Sequence, residues 1–182
     1  MPQRIIIGNL ISLSAAVFLF FGAITENARR IYLFGVFECV LLFIAQLFFG
    51  QGAAAVSLLI AAFRNLLIYL DKYTRAYLGA VFLSSLFFGL IFNTGGFIGL
   101  LPLAATLIFT VTSYYAKGFV KIKLSFLFNL ALWTVYSALI FDLASTVINF
   151  FSLLFTAASI IKFVKKQGWY KNAQKNDFYS LN

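Results

Sequence analysis

The sequence predicts an all-α membrane protein: seven transmembrane helices, arranged as two parallel three-helix bundles joined by a linker helix. Three observations predict it. Of 182 residues, 63% are apolar and only 10% charged, with a mean hydropathy of +0.97, whereas soluble domains average about 25% charged residues. The apolar residues fall into seven runs, each long enough to cross a bilayer. The basic residues collect in alternate connections between those runs.

The runs cover residues 5–24, 31–49, 53–70, 76–92, 97–115, 124–140 and 143–161. All lie in the range of about 17–25 residues that spans a hydrocarbon core of about 30 Å. The first follows Met1-Pro2-Gln3-Arg4 and has the flavour of a signal peptide, but no small-x-small cleavage site follows it and six more runs do, so it is expected to be retained. The second and third are separated only by Gly50-Gln51-Gly52, a tight helical hairpin. Between the fourth and fifth lies Asn93-Thr94-Gly95-Gly96, a short flexible loop; with no Lys-Ser or Lys-Thr after it, this is no phosphate cradle. The sixth and seventh meet at Phe141-Asp142, where Asp142 is expected to cap the seventh helix. The Lys-rich tail, with Trp169 and Tyr170, reads as an interfacial anchor.

Of the 14 Lys and Arg residues, all but Arg4 and Arg64 follow the first, third, fifth or seventh run. The positive-inside rule turns this asymmetry into a topology, with the amino terminus outside and the carboxyl terminus cytoplasmic. An odd helix count is the consistent one. The formal charge of +9 sits at run boundaries and not on one solvent face, so no nucleic-acid partner is expected. With one cysteine, Cys39, and no histidine, disulfide frameworks, histidine-ligated metals and Ser-His or Cys-His nucleophiles are out of reach. Neither an enzyme, nor a cofactor, nor a metal site is expected.

A shift of 88 residues lays residues 45–64 on 133–152 and preserves the helix pattern, though few identities. The chain then divides into a first bundle (1–73), a linker helix (74–94), a second bundle (95–166) and a cytoplasmic tail (167–182). The odd spacer gives both triplets the same orientation, the arrangement of parallel transporter repeats.

The second triplet carries polar stripes at helical spacing: Thr106, Thr110 and Ser113; Asn129, Trp133 and Tyr136; Asn149, Ser152, Thr156 and Ser159. Trp133 and Asn149 fall at a similar depth, roughly 10 Å below one surface, and could share a cavity. On one reading Thr106, Asn129, Trp133, Tyr136 and Asn149 bind a small neutral solute. On the other they are helix glue, worth only about 0.6–2 kcal/mol per contact. Glu38 and Arg64 are the charges well inside apolar runs. They lie on adjacent hairpin helices, and an intramembrane ion pair is expected.

Two resemblances follow from particular residues. Pro102, Leu132-Trp133-x-x-Tyr136, Asp142 and Asn149 make the second triplet similar to the repeat of the SWEET and PQ-loop sugar facilitators, which implies a 3+1+3 architecture, a hinge at Pro102 and a sugar-like solute. The first triplet departs from that pattern, with Ala45, Ala61 and Ser14 at the shifted positions of Trp133, Asn149 and Pro102, so a symmetric clamp is not expected. Over nearly the whole chain, Glu26-x-x-Arg29-Arg30, Ala61-x-x-Arg64, Leu100-Leu101-Pro102 with Thr106, Lys117-Gly118 and Ile160-Ile161-Lys162 resemble the YgjV-type inner membrane proteins of bacteria. The resemblance implies a multi-pass protein of the bacterial inner membrane. The functional expectation is a small-solute facilitator with its pathway between the bundles; the alternative is a non-transporting scaffold or sensor. The expected partners are the lipid bilayer and the solute, with a homo-oligomer left open.

Overall fold

A computed structural model describes the backbone of residues 2–116 and 118–179, and the side chains of residues 3–116 and 118–166. Seven helices account for nearly all of it: α1 (Pro2–Ile24), α2 (Ala28–Phe49), α3 (Gly52–Tyr69), α4 (Arg75–Ile91), α5 (Gly96–Tyr115), α6 (Phe119–Leu139) and α7 (Leu143–Tyr179). Among the described residues there is no strand. Six helices are long and apolar enough to cross a membrane, and α4 is a shorter apolar helix. Each predicted run is found. The differences are at the ends: α6 starts five residues before the expected 124, and α7 continues past the expected 161 to Tyr179. The tail side chains from 167 onward, including Trp169 and Tyr170, lie outside the described residues, as does Lys117.

The helix ends follow from local chemistry. Asn27 caps α2, its side chain accepting hydrogen bonds from the N–H groups of Arg29 and Arg30, and Gly50 ends that helix in the left-handed region at φ 71°, a conformation glycine adopts without a steric penalty. Thr74 caps α4 through the N–H of Tyr77. Asp142 caps α7 as expected, accepting from the N–H of Ser145 at 3.0 Å. A second side chain helps it: Asn9 of α1 accepts from the N–H of Ala144 at 3.0 Å.

Each helix packs on its chain neighbours, and two further contacts, α1 on α7 and α3 on α5, close six helices into a ring. Helix α4 stands outside it, against α3 and α5, burying a stripe of Val81, Ser85 and Gly89. The outer surface is apolar, with Phe63, Phe87, Phe97, Phe128, Val147 and Phe151 among many exposed side chains. The polar residues Ser12, Gln46, Arg64, Asn65, Thr106, Thr110, Asp142 and Asn149 are buried. This distribution fits a solvent of hydrocarbon, which offers polar groups no partner.

The ring interior is not uniform. At the end carrying the basic connections, hereafter the basic end, Leu19 and Ala23 of α1, Ile31 and Tyr32 of α2, Phe109 of α5, and Ile122, Phe126 and Leu130 of α6 form an apolar plug. Beside it lies Lys123. The sequence suggests a solvated loop residue, but the early start of α6 puts it inside the helix, fully buried, with Nζ donating to the carbonyls of Gly22 at 3.0 Å and Ala23 at 2.5 Å. Those carbonyls belong to the last turn of α1, which has no helical N–H to receive, and a cation there also meets the negative end of the helix dipole. Gly35 permits another close approach: a Cβ there would lie 2.7 Å from Nδ2 of Asn65 on α3.

Lys123→Ala should lower stability by about 1.5–3 kcal/mol, the usual worth of hydrogen bonds made by a charged group. Thermal unfolding in detergent would show it, with Lys123→Arg recovering part of the loss. An unchanged midpoint would mean that this tie between α6 and α1 contributes nothing.

Candidate functional site: a central polar cavity

Residues three or four apart on four ring helices turn toward the centre: Gly35, Glu38, Leu42 and Gln46 of α2; Leu58, Ala61 and Arg64 of α3; Phe126, Asn129, Trp133 and Ser137 of α6; Ser145 and Asn149 of α7. With Thr106 and Phe109 of α5 and Asp142 before α7, they enclose a long, narrow cavity of about 50 Å³. A single water needs about 10–15 Å³ by this measure, so the cavity has room for a few waters and is too small for a sugar in this conformation.

Of the residues that the sequence singles out, Thr106, Asn129, Trp133, Asn149, Glu38 and Arg64 all line this cavity. Trp133 and Asn149, predicted to share a cavity, do so. Asn149 is buried, and Ala61, its counterpart under the 88-residue shift, lines the opposite wall. Tyr136 is brought near but not in. Completely buried behind Trp133, with their rings at 5.5 Å edge to face, it donates its hydroxyl to Oε1 of Gln46 at 3.2 Å. It is part of the wall. Pro102 lies one turn from Thr106, buried inside α5, where it has no N–H to give the carbonyl of Ile98.

The expected Glu38–Arg64 ion pair is not formed. Among the described residues the ion pair is Arg29 with Asp71, at 3.5 Å and exposed on the surface. Helix rotation explains the difference. Arg64 points toward α5, where Nη1 donates to Oγ1 of Thr110 at 3.1 Å and to the carbonyl of Thr106 at 3.5 Å, and the guanidinium lies 4.6 Å over the ring of Phe109. Its Nε and Nη2 donate to Oδ1 of Asn65 at 3.3 and 3.0 Å. Asn65, the next residue along, is the one presented to α2, with Nδ2 3.8 Å from Sγ of Cys39. Glu38 faces the other way, into a second small void of about 10 Å³ bounded by Ser12, Ala15, Ala16 and Leu19 of α1 and by Ser145, Ile148 and Asn149 of α7.

Toward both ends of the ring, hydrogen bonds tie the first three helices to the last three. At the basic end these are Lys123 to α1 and Arg64 to α5. Tyr73, in the connection between α3 and α4, adds a hydrogen bond to the carbonyl of Thr110 at 3.4 Å, and burial, opposed by nearby Arg64, pushes its hydroxyl up to about 12. At the opposite end are Gln46 with Tyr136, Asn9 with the N–H of Ala144, and Ser12, whose hydroxyl donates to Oδ2 of Asp142 at 3.1 Å. Burial pushes the Asp142 carboxyl above its ordinary range, against the pull of the hydrogen bonds from Ser145 and Ser12. Gln46, Asn65, Lys123, Asn9 and Ser12 were not singled out from the sequence as site residues. Asn65 and Gln46 carried a readable signal, since an amide inside a transmembrane run must find a partner.

An apolar outer surface around a ring of spanning helices, with polar side chains turned into one central cavity, defines a polytopic helical membrane protein. The chain belongs to the Imp-YgjV family of bacterial inner membrane proteins, which it matches over residues 6–167. Family and apolar helices together make it a multi-pass protein of the bacterial inner membrane, in contact with lipid. No curated protein and no solved structure matches it.

Two predictions follow from this geometry. Because Glu38 and Arg64 face different neighbours, a double-mutant cycle with Glu38→Gln and Arg64→Met should show thermal effects that add within about 0.5 kcal/mol, and swapping the two charges should rescue neither single variant. A coupling well above that figure would restore the ion pair. The folded Asp142 carboxyl holds its proton to higher pH than the unfolded one, so the folded state binds more protons between the two titrations. Stability is then greatest on the acid side, falls as pH rises through that window, and levels off above the raised folded value. Asp142→Asn keeps a good helix cap and should remove this part of the slope from a plot of unfolding midpoint against pH. A slope equal to that of the wild type would exclude Asp142 as its source.

Proposed function

We propose that the protein is a facilitator for a small neutral solute, with its pathway along the ring axis between α1–α3 and α5–α7. The observation that carries this reading is the central cavity, which gathers Trp133, Asn129, Asn149 and Thr106 around polar space in the middle of an apolar shell. A buried indole offers a stacking face and the amides offer donors and acceptors, the equipment of a small-molecule site.

Helix packing supports the 3+1+3 description. Exchanging α1 with α5, α2 with α6 and α3 with α7 carries the contact of α1 with α2 onto that of α5 with α6, α2 with α3 onto α6 with α7, and α1 with α7 onto α5 with α3. Helix α4 alone stands outside the ring. Rocking of one triplet against the other would open either end in turn, with Pro102 as a bending point in α5. The cavity then represents an occluded state, and a solute larger than a few waters enters only after the ties at one end separate. Sugars belong in the test because of the SWEET-like residues of the second triplet. We further infer an amino terminus outside and a cytoplasmic basic end from the distribution of Lys and Arg, and a non-enzymatic role from a cavity lined by two carboxyls and no histidine.

One observation favours the second reading, a scaffold or sensor: hydrogen bonds cross between the triplets at both ends, as in a static core. Uptake of labelled glucose, xylose, glycerol and urea into proteoliposomes separates the two. Saturable flux in the wild type, reduced at least about tenfold by Trp133→Ala with Asn149→Leu, a loss of about 1.4 kcal/mol or more, is the outcome expected of a facilitator. No flux of any of the four from folded protein would favour the scaffold.

A further inference from the structure

Glu38 is an acid inside a spanning helix with no side-chain hydrogen bond and no ion-pair partner among the described residues. It lies ten residues into α2 from Ala28 and eleven from Phe49, about 15 Å from either end, and so at mid-span. Its side chain borders the central cavity and the small void against α1 and α7. Among the described residues no side chain donates a hydrogen bond to it and no cation lies within ion-pair distance. An ionised carboxylate so placed, without counter-ion or donor, is strongly disfavoured.

The surroundings offer one exchangeable partner. From α1 the small void presents Ser12, Ala15, Ala16 and Leu19, and from α7 Ser145, Ile148 and Asn149, none of which titrates near neutrality. On α2 itself Tyr32 and Cys39 line the cavity, and from α5 and α6 come Thr106, Phe109, Asn129 and Trp133. The charged or acidic groups are Arg64 of α3 and Asp142 before α7. Arg64 is turned to Thr110 and Asn65 and stands as a fixed positive charge between Glu38 and the basic end. Asp142 accepts from the Ser12 hydroxyl and from the Ser145 N–H, the Ser145 hydroxyl is buried with no partner of its own among the described residues, and both serines border the same void as Glu38. The void has room for about one water, enough to bridge them. A hydroxyl-lined track thus leads from a carboxyl at one end of the ring to a carboxyl at mid-span, with a cation beyond it that opposes passage of a proton to the basic end.

We propose that Glu38 is a proton-binding site, loaded along the Asp142–Ser12–Ser145 track, and that proton exchange at Glu38 is coupled to movement of solute through the adjoining cavity. The coupling rests on the facilitator reading, whereas the proton site does not. The step is a simple transfer: the Asp142 carboxyl gives its proton through the bridging water to a Glu38 carboxylate oxygen and is reprotonated from solvent at its own end, and Glu38 releases the proton to water when the cavity opens and hydrates at the basic end.

Infrared difference spectroscopy of the reconstituted full-length protein tests the site without any substrate. Wild type at neutral pH should show a protonated-carboxyl C=O band that shifts in D2O and that Glu38→Gln abolishes, while Glu38→Asp retains a band at a changed frequency. Identical wild-type and Glu38→Gln spectra would overturn the site; circular dichroism establishes that the variant is folded. Coupling is read in the same vesicles by trapped pyranine during uptake of whichever of glucose, xylose, glycerol or urea moves. An imposed proton gradient should accelerate wild-type uptake severalfold and leave Glu38→Gln unaffected. Equal response of both would overturn coupling. If no solute moves while the band behaves as expected, the facilitator reading and its coupling fail and the proton site stands.

Discussion

The constraint on which this structure depends is that hydrocarbon supplies no hydrogen-bond partner, so every polar group in a spanning helix must find one inside the protein. The ring answers it in one direction, by turning polar side chains to the centre and Phe, Leu and Val outward. Arg64 shows how completely this can be done without an opposite charge: two threonines, an amide and an aromatic face surround the guanidinium. Lys123 does the same with backbone carbonyls that the end of α1 leaves open. Because both residues reach across from one triplet to the other, the satisfaction of buried polar groups and the closure of the cavity are a single arrangement.

The helices were legible because length and hydropathy alone define a span. Their ends were legible where a residue has a specific conformational or capping role, as at Gly50 and Asp142. The start of α6 was not, because Lys121 and Lys123 look like loop residues, and only the three-dimensional position of the α1 terminus shows why a lysine can be buried there. The cavity membership of Trp133 and Asn149 was readable from depth. Pairing was not, since depth leaves helix rotation free, and rotation decides that Asn65 meets α2 while Arg64 meets α5. The same freedom places Tyr136 behind Trp133 and not beside it. Ser12 and Asn9 sit in an apolar run, and nothing local marks their partners more than a hundred residues away.

The first three helices and the last three differ in character. In the first, Ala53, Ala54, Ala55, Ala61 and Ala62 are all buried in α3, and Gly35 lets α2 come close; small residues of this kind let transmembrane helices pack closely. The second presents Asn129, Trp133 and Asn149 to the cavity where the first presents Ala61. The first half thus combines close packing with a few charged and amide groups, Glu38, Gln46, Arg64 and Asn65, whereas the indole facing the cavity comes from the second.

The seam between α1 and α7 joins helices that are made far apart in time, with α2–α6 between them. Until α6 and α7 emerge from the ribosome, the carbonyls of Gly22 and Ala23 and the side chains of Asn9 and Ser12 lack the partners they have in the finished ring. Synthesis proceeds from the amino terminus, so the ring cannot close during insertion of the early helices. Its biogenesis is therefore a late event, and a chain cut before α7 would leave α1 with polar groups facing lipid, a form that membrane quality control is suited to detect.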